Sequence, residues 1–422
     1  MAGQEAPEHV VVVGAGMVGL ATAWFLQADG VRVTVVDRDG VAAGSSWGNA
    51  GWLAPALTLP LPDPAILGMG VKATLDPSSP VYVPFTTNRQ LLTFLASFAL
   101  HCTPAKWREA MAVFTEANHR ALGAFDVLAD GGVGEPTQRA DPFLAAFLSE
   151  DDRDRLVEEF EHVAEVGDRT EHELVDGDTL RTFEPALSEA VTHGVLLRGQ
   201  RFINPGRFVH ALADAVRERG GDVRGAVDVQ AVKRVRDRVE VRQASGDPIL
   251  ADAAVLATGT WLGRLARPHG VTTIVQAGRG YSFFVPTGTE PANPVYFPAQ
   301  RVACTPIDGP DGERGLRVAG MMEFRRPKAP PDPRRIRAII AAAGPLLRGI
   351  DWDARTGEWV GSRPCTADGL PLVGPTRTPG VHVAGGHGMW GIALGPLTGQ
   401  LLAALIARGE SSDLLDKLDP LR

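Results

Sequence analysis

Residues 10–13 are four consecutive valines, and Gly14-Ala15-Gly16-Met17-Val18-Gly19 follows them at once. An unbroken β-branched run reads as a strand buried on both faces, as in a parallel sheet. The glycines then open a helix through Ala21, Ala23, Phe25 and Leu26 that ends near Gly30. Residues 31–36 form the next strand and deliver Asp37 and Arg38 at its end. Strand, glycine turn, helix, strand and acid in this order are the dinucleotide fingerprint in its required context. Gly14 allows the tight turn, Gly16 lets the backbone approach a pyrophosphate, and Gly19 lets the helix pack on the strand. The helix start at Met17 and Val18 aims free N–H groups at that anion, and Asp37 accepts hydrogen bonds from a ribose.

A second glycine signature lies near the other end, six glycines within residues 385–399, followed by a helical pattern over 400–408. Taken alone, it is a flexible loop before a terminal helix. Paired with the first signature, it is a backbone that must approach a flat or anionic ligand closely, which is a reason for the entropy such a cluster costs. Between them, residues 253–257 read as a buried strand ending in Thr258-Gly259, a second loop able to pass close to a nucleotide. Dinucleotide signals at both ends and in the middle imply an insertion. Residues 1–58, 200–275 and 355–422 make up a doubly wound α/β domain of Rossmann type. Residues 59–199 and 276–354 make up an inserted α+β domain on a mainly antiparallel sheet.

The remaining segments fill in that plan. Residues 45–51 are small, polar and glycine-rich, and a proline-rich run from Pro55 to Pro84 follows. Thr103-Pro104 and Asn204-Pro205 read as helix starts, and residues 149–166 as a charged helix. Valines at 227, 229, 232, 235, 239 and 241 suggest short strands, as does the pattern from Gly280 to about Phe324. A proline-rich connector, 327–333, then leads to a helix through Ile336, Ile339 and Ile340. The longest apolar run, 91–100, is too short to span a bilayer and reads as a core helix rather than a membrane-surface patch. Net charge is −8 with no basic block, so nucleic acid is not an expected partner. Three widely spaced cysteines argue against a disulfide framework or a zinc site, and no other metal site is expected. They fit a reducing compartment. The polar, acidic N-terminus carries no secretory signal, so a cytoplasmic location is expected, with peripheral contact at the inner membrane face left open.

The fingerprint, Ser46-Trp47-Gly48-Asn49-Ala50-Gly51, Ile203-Asn204-Pro205, Ala257-Thr258-Gly259, Arg279-Gly280-Tyr281 and the run from Gly361-Ser362-Arg363-Pro364-Cys365 to Gly374 together resemble the glycine oxidase and D-amino-acid oxidase family of FAD flavoproteins. Within it, the chain is most similar to bacterial D-amino-acid dehydrogenase small subunits and related amine dehydrogenases. The resemblance implies FAD held noncovalently, since Cys365 is not placed like the flavin-linked cysteine of sarcosine oxidases. It implies contacts from Gly14, Gly16, Met17, Val18, Gly19, Asp37, Arg38, Ser45, Ser46, Asn49, Ala50, Gly51, Val229, Ala257, Thr258 and Gly259. It also implies that the N–H groups from Gly388 through Met389, Trp390 and Gly391 to Ile392 face the flavin's N1–C2 carbonyl edge.

Arg363 resembles the arginine that holds a substrate carboxylate, a task suited to a planar, permanently charged fork. Tyr281 either contacts the substrate or is an aromatic half-buried on a strand. His387 either contacts the flavin or fills a glycine-lined gap. Hydride transfer from the Cα–H of a neutral amine to flavin N5 needs orientation rather than a general base, so the lack of a Ser/His/Asp set is no obstacle. The imine product hydrolyses to a keto acid. A small D-amino acid is the expected substrate. Secondary amines of sarcosine, proline or N-carboxymethyl type are the alternative, and a noncatalytic FAD subunit of a larger complex is a reading of another class. The electron acceptor is oxygen or a respiratory quinone carrier. Residues 301–306 read Arg-Val-Ala-Cys-Thr-Pro, with Ala303 and Cys304 where glycine oxidases carry a tyrosine, a departure from a glycine-oxidase pose.

Overall fold

The computed structural model describes residues 6–65, 81–84, 86–167, 169–288, 290–309 and 312–422. Part of the proline-rich run, including Pro77 and Pro80, lies outside them. The valine run forms the strand His9–Val13, at the middle of a six-stranded sheet. The spatial order is Asp222–Arg224, Arg32–Val36, His9–Val13, Ala253–Leu256, Val381–Gly385 and Leu372–Pro375. All neighbours are parallel except the last pair.

Both faces of this sheet are covered, which is why its central strands His9–Val13 and Ala253–Leu256 are buried throughout. Val10 and Val12 join a core with the helices Met17–Ala28, Pro205–Glu218 and Gly395–Arg408. Val11 and Val13 point the other way, into a core shared with the antiparallel strands Val229–Val235, Arg238–Gln243 and Ile249–Ala251. Each valine fully buried in this way contributes about 1.5–3 kcal/mol.

The C-terminal helix begins at Gly395, earlier than the sequence pattern suggests. A Cβ on Gly399 would lie 2.6 Å from the Ala21 backbone carbon, and one on Gly395 would lie 2.7 Å from Met17 Cγ. Two of the six glycines therefore serve close helix–helix packing rather than loop freedom.

A second, larger sheet runs in the order Thr356–Cys365, Gln276–Pro286, Arg314–Phe324, Val302–Asp308, Val295–Phe297, Phe143–Phe147, His193–Leu197 and His172–Asp176. Val81–Tyr82 pairs in parallel at Met322 and Glu323. Most pairings are antiparallel. The helix Pro333–Ala343 covers its back face, where Ile336 and Ile339 meet Val302, Leu316 and Val318. Two expectations are corrected here. The strands from Gly280 onward are not all short, because Gln276–Pro286 and Arg314–Phe324 each span eleven residues. The division at 355 also falls too early, because Thr356–Cys365 is hydrogen bonded to Gln276–Pro286 in this sheet.

Helix starts follow the cap chemistry. Thr103, Ser149 and Asn204 each accept a backbone N–H at the first turn of Pro104–Asp130, Glu150–Ala164 and Pro205–Glu218. The apolar run at 91–100 lies in the helix Arg89–His101, which buries Leu91, Phe94 and Phe98 and exposes Leu92 and Leu100. Among the described residues no helix is long and apolar enough to cross a membrane.

Candidate active site

The glycine turn packs by backbone. Gly14, at φ +120°, leaves no room for a side chain, since a Cβ there would collide with the Ala257 carbonyl; one on Gly19 would collide with Gly14. Gly16 is different: an added Cβ would meet only Ser46 Oγ at 3.1 Å. The space above Gly16 belongs to a cleft, and the N–H groups of Gly16 and Val18 find no acceptor among the described residues. Asp37 is fixed at the next strand end, where Oδ2 accepts from Ala15 N (2.9 Å) and Oδ1 from the N–H groups of Asp39 and Gly40 (2.8 and 3.0 Å). Arg38 stacks over Trp261 at 4.6 Å. Beside them, the buried hydroxyls of Thr258 and Thr260 have no hydrogen-bond partner among the described residues.

From this end the cleft runs between the two sheets. Of the residues singled out from sequence, Gly14, Gly16, Met17, Val18, Asp37, Arg38, Ser45, Ser46 and Asn49 border it. So do Val229, Ala257, Thr258, Gly259, Gly388, Met389, Gly391 and Ile392, together with Tyr281, Arg363 and His387. Four residues do not. Gly19 only packs the turn. Ala50 turns its carbonyl to Thr305 Oγ1 (2.7 Å). Gly51, at φ +75°, packs against the Ile203 carbonyl. Trp390 donates its indole N–H to the Leu59 carbonyl at 2.7 Å, outside the cleft lining. The glycine loop is also less open than expected: Gly388 N donates to Pro364 O (2.8 Å) and Trp390 N to His387 O (2.9 Å). The N–H groups of Met389, Gly391 and Ile392 have no acceptor among the described residues.

Arg363 enters from the strand Thr356–Cys365, and a β-bulge shapes its seat. Arg279 pairs with Glu323 and Tyr281 with Gly320, so Gly280 alone faces both Met321 and Met322. Met321 takes φ +64°, uncommon for a residue with a side chain, and its carbonyl accepts from an Arg363 terminal nitrogen at 2.8 Å. The guanidinium lies over Gly280, where a Cβ would sit 2.5 Å from its central carbon. No carboxylate pairs with Arg363 among the described residues. Burial pulls it below the ordinary arginine pKa. A cation set into a cleft with no counter-ion is a seat for an anion.

Tyr281 is corrected. Although it borders the cleft, it is 1% exposed and its hydroxyl donates to Glu323 Oε1 (2.7 Å) and accepts from Asp332 N (3.1 Å). Burial, followed by Glu323, pushes the phenol up to about 12. It belongs to a buried cluster in which Arg279 and Arg335 both lie 3.3 Å from Glu323. The aromatic-on-a-strand alternative describes it, and residue parity is the reason: Gly280 faces the cleft, so its neighbours face away. His387 is also buried, with Nε2 2.8 Å from Thr398 Oγ1, and desolvation lowers it to about 4, so the ring is neutral near pH 7. Cys365 is buried against Gly278 and pushed up to about 12 by burial, so it remains a thiol.

Sequence reasoning missed Met321, Trp261 and Trp359. Trp359 borders the cleft and lies against Gly48, whose added Cβ would sit 2.5 Å from the indole. Its spacing of two from Gly361 and four from Arg363 is the signal that one strand face carries all three.

A doubly wound sheet with a glycine turn at its strand ends, roofed by an antiparallel sheet that presents an arginine, defines a dinucleotide-dependent oxidoreductase. The chain belongs to the DAO family, described as FAD dependent oxidoreductase, whose model matches residues 9–405. It is 29% identical over 408 residues to a D-amino acid dehydrogenase of Cereibacter sphaeroides, covering 94% of this chain and 91% of the relative. Its fold is similar to glycine oxidase from Bacillus cereus (TM-score 0.72, 20% identity, 97% of each chain). It is also similar to L-proline dehydrogenase from P. horikoshii (TM-score 0.71, 15% identity, 99% and 98%). The protein is an FAD-dependent enzyme, and its residues fit that cofactor: the glycine turn leaves backbone donors open, and the Thr258 and Thr260 hydroxyls beside them have no partner among the described residues.

Proposed function

We propose that the protein oxidises the C–N bond of a small amino acid, a D-amino acid in the first place, with Arg363 holding the substrate carboxylate. The observation that carries this reading is the Arg363 guanidinium, fixed by the Met321 carbonyl over Gly280 and lacking a carboxylate partner among the described residues. A bidentate pair there fixes the substrate's Cα relative to the cleft and supplies the charge that burial demands. The similarity to a D-amino acid dehydrogenase supports the choice of substrate class.

In this reading Gly16, Val18 and the helix Met17–Ala28 hold the pyrophosphate of FAD, and Asp37 holds a ribose. The N–H groups of Gly391 and Ile392, which lack an acceptor among the described residues, would be the donors available to negative charge on a bound flavin. FAD, when bound without a covalent link, supplies a two-electron acceptor for the hydride leaving Cα. The amine loses a proton to solvent and becomes an imine, which water converts to a keto acid and ammonia. Neutral His387 adds no cationic charge beside the loop.

The test is anaerobic flavin bleaching by stopped flow with D-, L- and N-substituted amino acids and their decarboxylated amines. Bleaching by D-amino acids is the expected result. Bleaching by simple amines with no preference for a carboxylate overturns the reading.

A further inference from the structure

Arg363 shares its strand face with a tryptophan. Trp359 lies four residues before it on Thr356–Cys365, half-buried and bordering the same cleft. Gly361 stands between them on that face, because alternate residues of a strand point the same way. Across the pairing, Gly361 faces Gly280, and Trp359 faces Ser282, which in turn faces Ala319 of Arg314–Phe324. Gly361, Gly280, Ser282 and Ala319 therefore make a floor without bulky side chains around the two large ones.

The two glycines decide where the large groups lie. The guanidinium rests over Gly280, and the indole reaches over Gly361, where a Cβ would collide with Cη2 and sit 2.5 Å from Cζ2. Gly280 and Gly361 are directly opposed, and paired strands stand about 4.8 Å apart. The outer edge of the indole is thus about one strand spacing to the side of the guanidinium. The inner part of the ring, at Cγ, Cδ2 and Cε3, is covered by Gly48. The Gly48 carbonyl accepts from the Ser282 hydroxyl and closes the floor behind the ring. Followed from Arg363, the floor ends at the indole.

That spacing bears on what a bound amino acid meets. A carboxylate paired with Arg363 stands about 3 Å from the guanidinium nitrogens. The groups on its Cα then come within about 3.5–4.0 Å of the indole edge, the range of carbon–carbon contact. The amine is unprotonated for hydride transfer, so it gains nothing from a cation–π contact. An apolar side chain gains by leaving water.

We propose that Trp359 is a specificity-determining residue of the substrate pocket, with its indole packed against the amino acid's side chain, and that an apolar side chain is preferred. The assignment rests on the reading of Arg363 as the carboxylate's partner. Each methylene buried there is worth about fourfold in affinity.

The holoenzyme is titrated with 4-methylpentanoate and with propanoate, the skeletons of leucine and alanine without the amine that is oxidised. Flavin absorbance reports binding. Anaerobic flavin reduction then compares leucine with alanine, in both enantiomers, and 3-methylbutylamine with ethylamine. 4-Methylpentanoate should bind about tenfold or more tightly than propanoate, and leucine should show a similar advantage over alanine in the enantiomer that is oxidised. Trp359→Ala should reduce these ratios about tenfold, Trp359→Phe should keep most of them, and Arg363→Ala should weaken both acids. If Trp359→Ala loses flavin, Trp359→Gln makes the same comparison. A tryptophan that only spaces the sheet from the Gly48 segment behaves differently: its loss weakens both acids together and the ratio survives, which overturns the proposal. Equal binding of the two acids by the wild type overturns it as well. Failure of the Arg363 reading has its own signature: neither acid perturbs the flavin, and amino acids reduce it no better than their decarboxylated amines. In that case 3-methylbutylamine should still outperform ethylamine through Trp359, and equal amines overturn both assignments.

Discussion

At residue scale, the energetics of Arg363 decide most of what can be tested. Its partners are a strained carbonyl and a glycine surface, so the site is built around the guanidinium's shape as well as its charge. Arg363→Ala is expected to lose about 2–5 kcal/mol of amino-acid binding in the reductive half-reaction, with flavin content unchanged. Arg363→Lys keeps the charge but loses the fork, so it should lose less, though still measurably. Decarboxylated amines should respond little to either variant. An equal loss for both substrate classes in stopped-flow bleaching would make Arg363 structural. Gly280→Ala tests the seat itself. Its methyl would displace the guanidinium, raising KM for carboxylate substrates while retention of flavin stays normal.

At the scale of elements, glycines that look alike in sequence separate by what surrounds them. Gly19→Ala places a methyl into the Gly14 carbonyl and should unfold the turn, seen as loss of soluble protein or a lowered thermal midpoint. Gly16 has space, so Gly16→Val should leave the fold intact and remove flavin; full flavin occupancy in that variant would refute the pyrophosphate assignment. The fingerprint, the caps at Thr103, Ser149 and Asn204, and the place of Arg363 in the cleft were all legible in the sequence, because each is local: a periodicity, a cap or a motif. What was not legible is relational. Tyr281 sits next to Gly280 in sequence but on the opposite face of the sheet, and only the Tyr281 hydroxyl's bond to Glu323 and the Arg363 guanidinium over Gly280 reveal which face is which. The membership of Thr356–Cys365 in the large sheet depends on hydrogen bonds to a strand some eighty residues earlier. Gly395 and Gly399 read as loop because their reason, the approach of Ala21 and Met17, lies near the other end of the chain.

At the scale of the whole molecule, burial of titratable groups sets how stability responds to pH. Desolvation lowers His9, His269, His382 and His387, the last two to about 4. Unfolding returns each to its ordinary value, so the unfolded chain binds more protons below about pH 6.5. Each group therefore contributes stability above that pH and loses it as pH falls through its lowered folded value, which is about 4 for His382 and His387. Glu159, which burial pushes up to about 7, acts with the opposite sign: its contribution is present at low pH and lost as pH rises from its ordinary value toward 7. The net profile is thus a sum of opposing terms, and a single variant is needed to read one of them. His387→Gln removes one buried histidine while keeping a group able to bond Thr398. Between pH 6.5 and 4, at fixed FAD concentration, its thermal midpoint should fall less steeply than that of the wild type. The difference should reach on the order of 3 kcal/mol at the acid end, because burial holds the folded ring at about 4 while unfolding frees it. Parallel profiles would mean that the folded protein does not hold His387 below its ordinary pKa, and that burial is not what sets its charge.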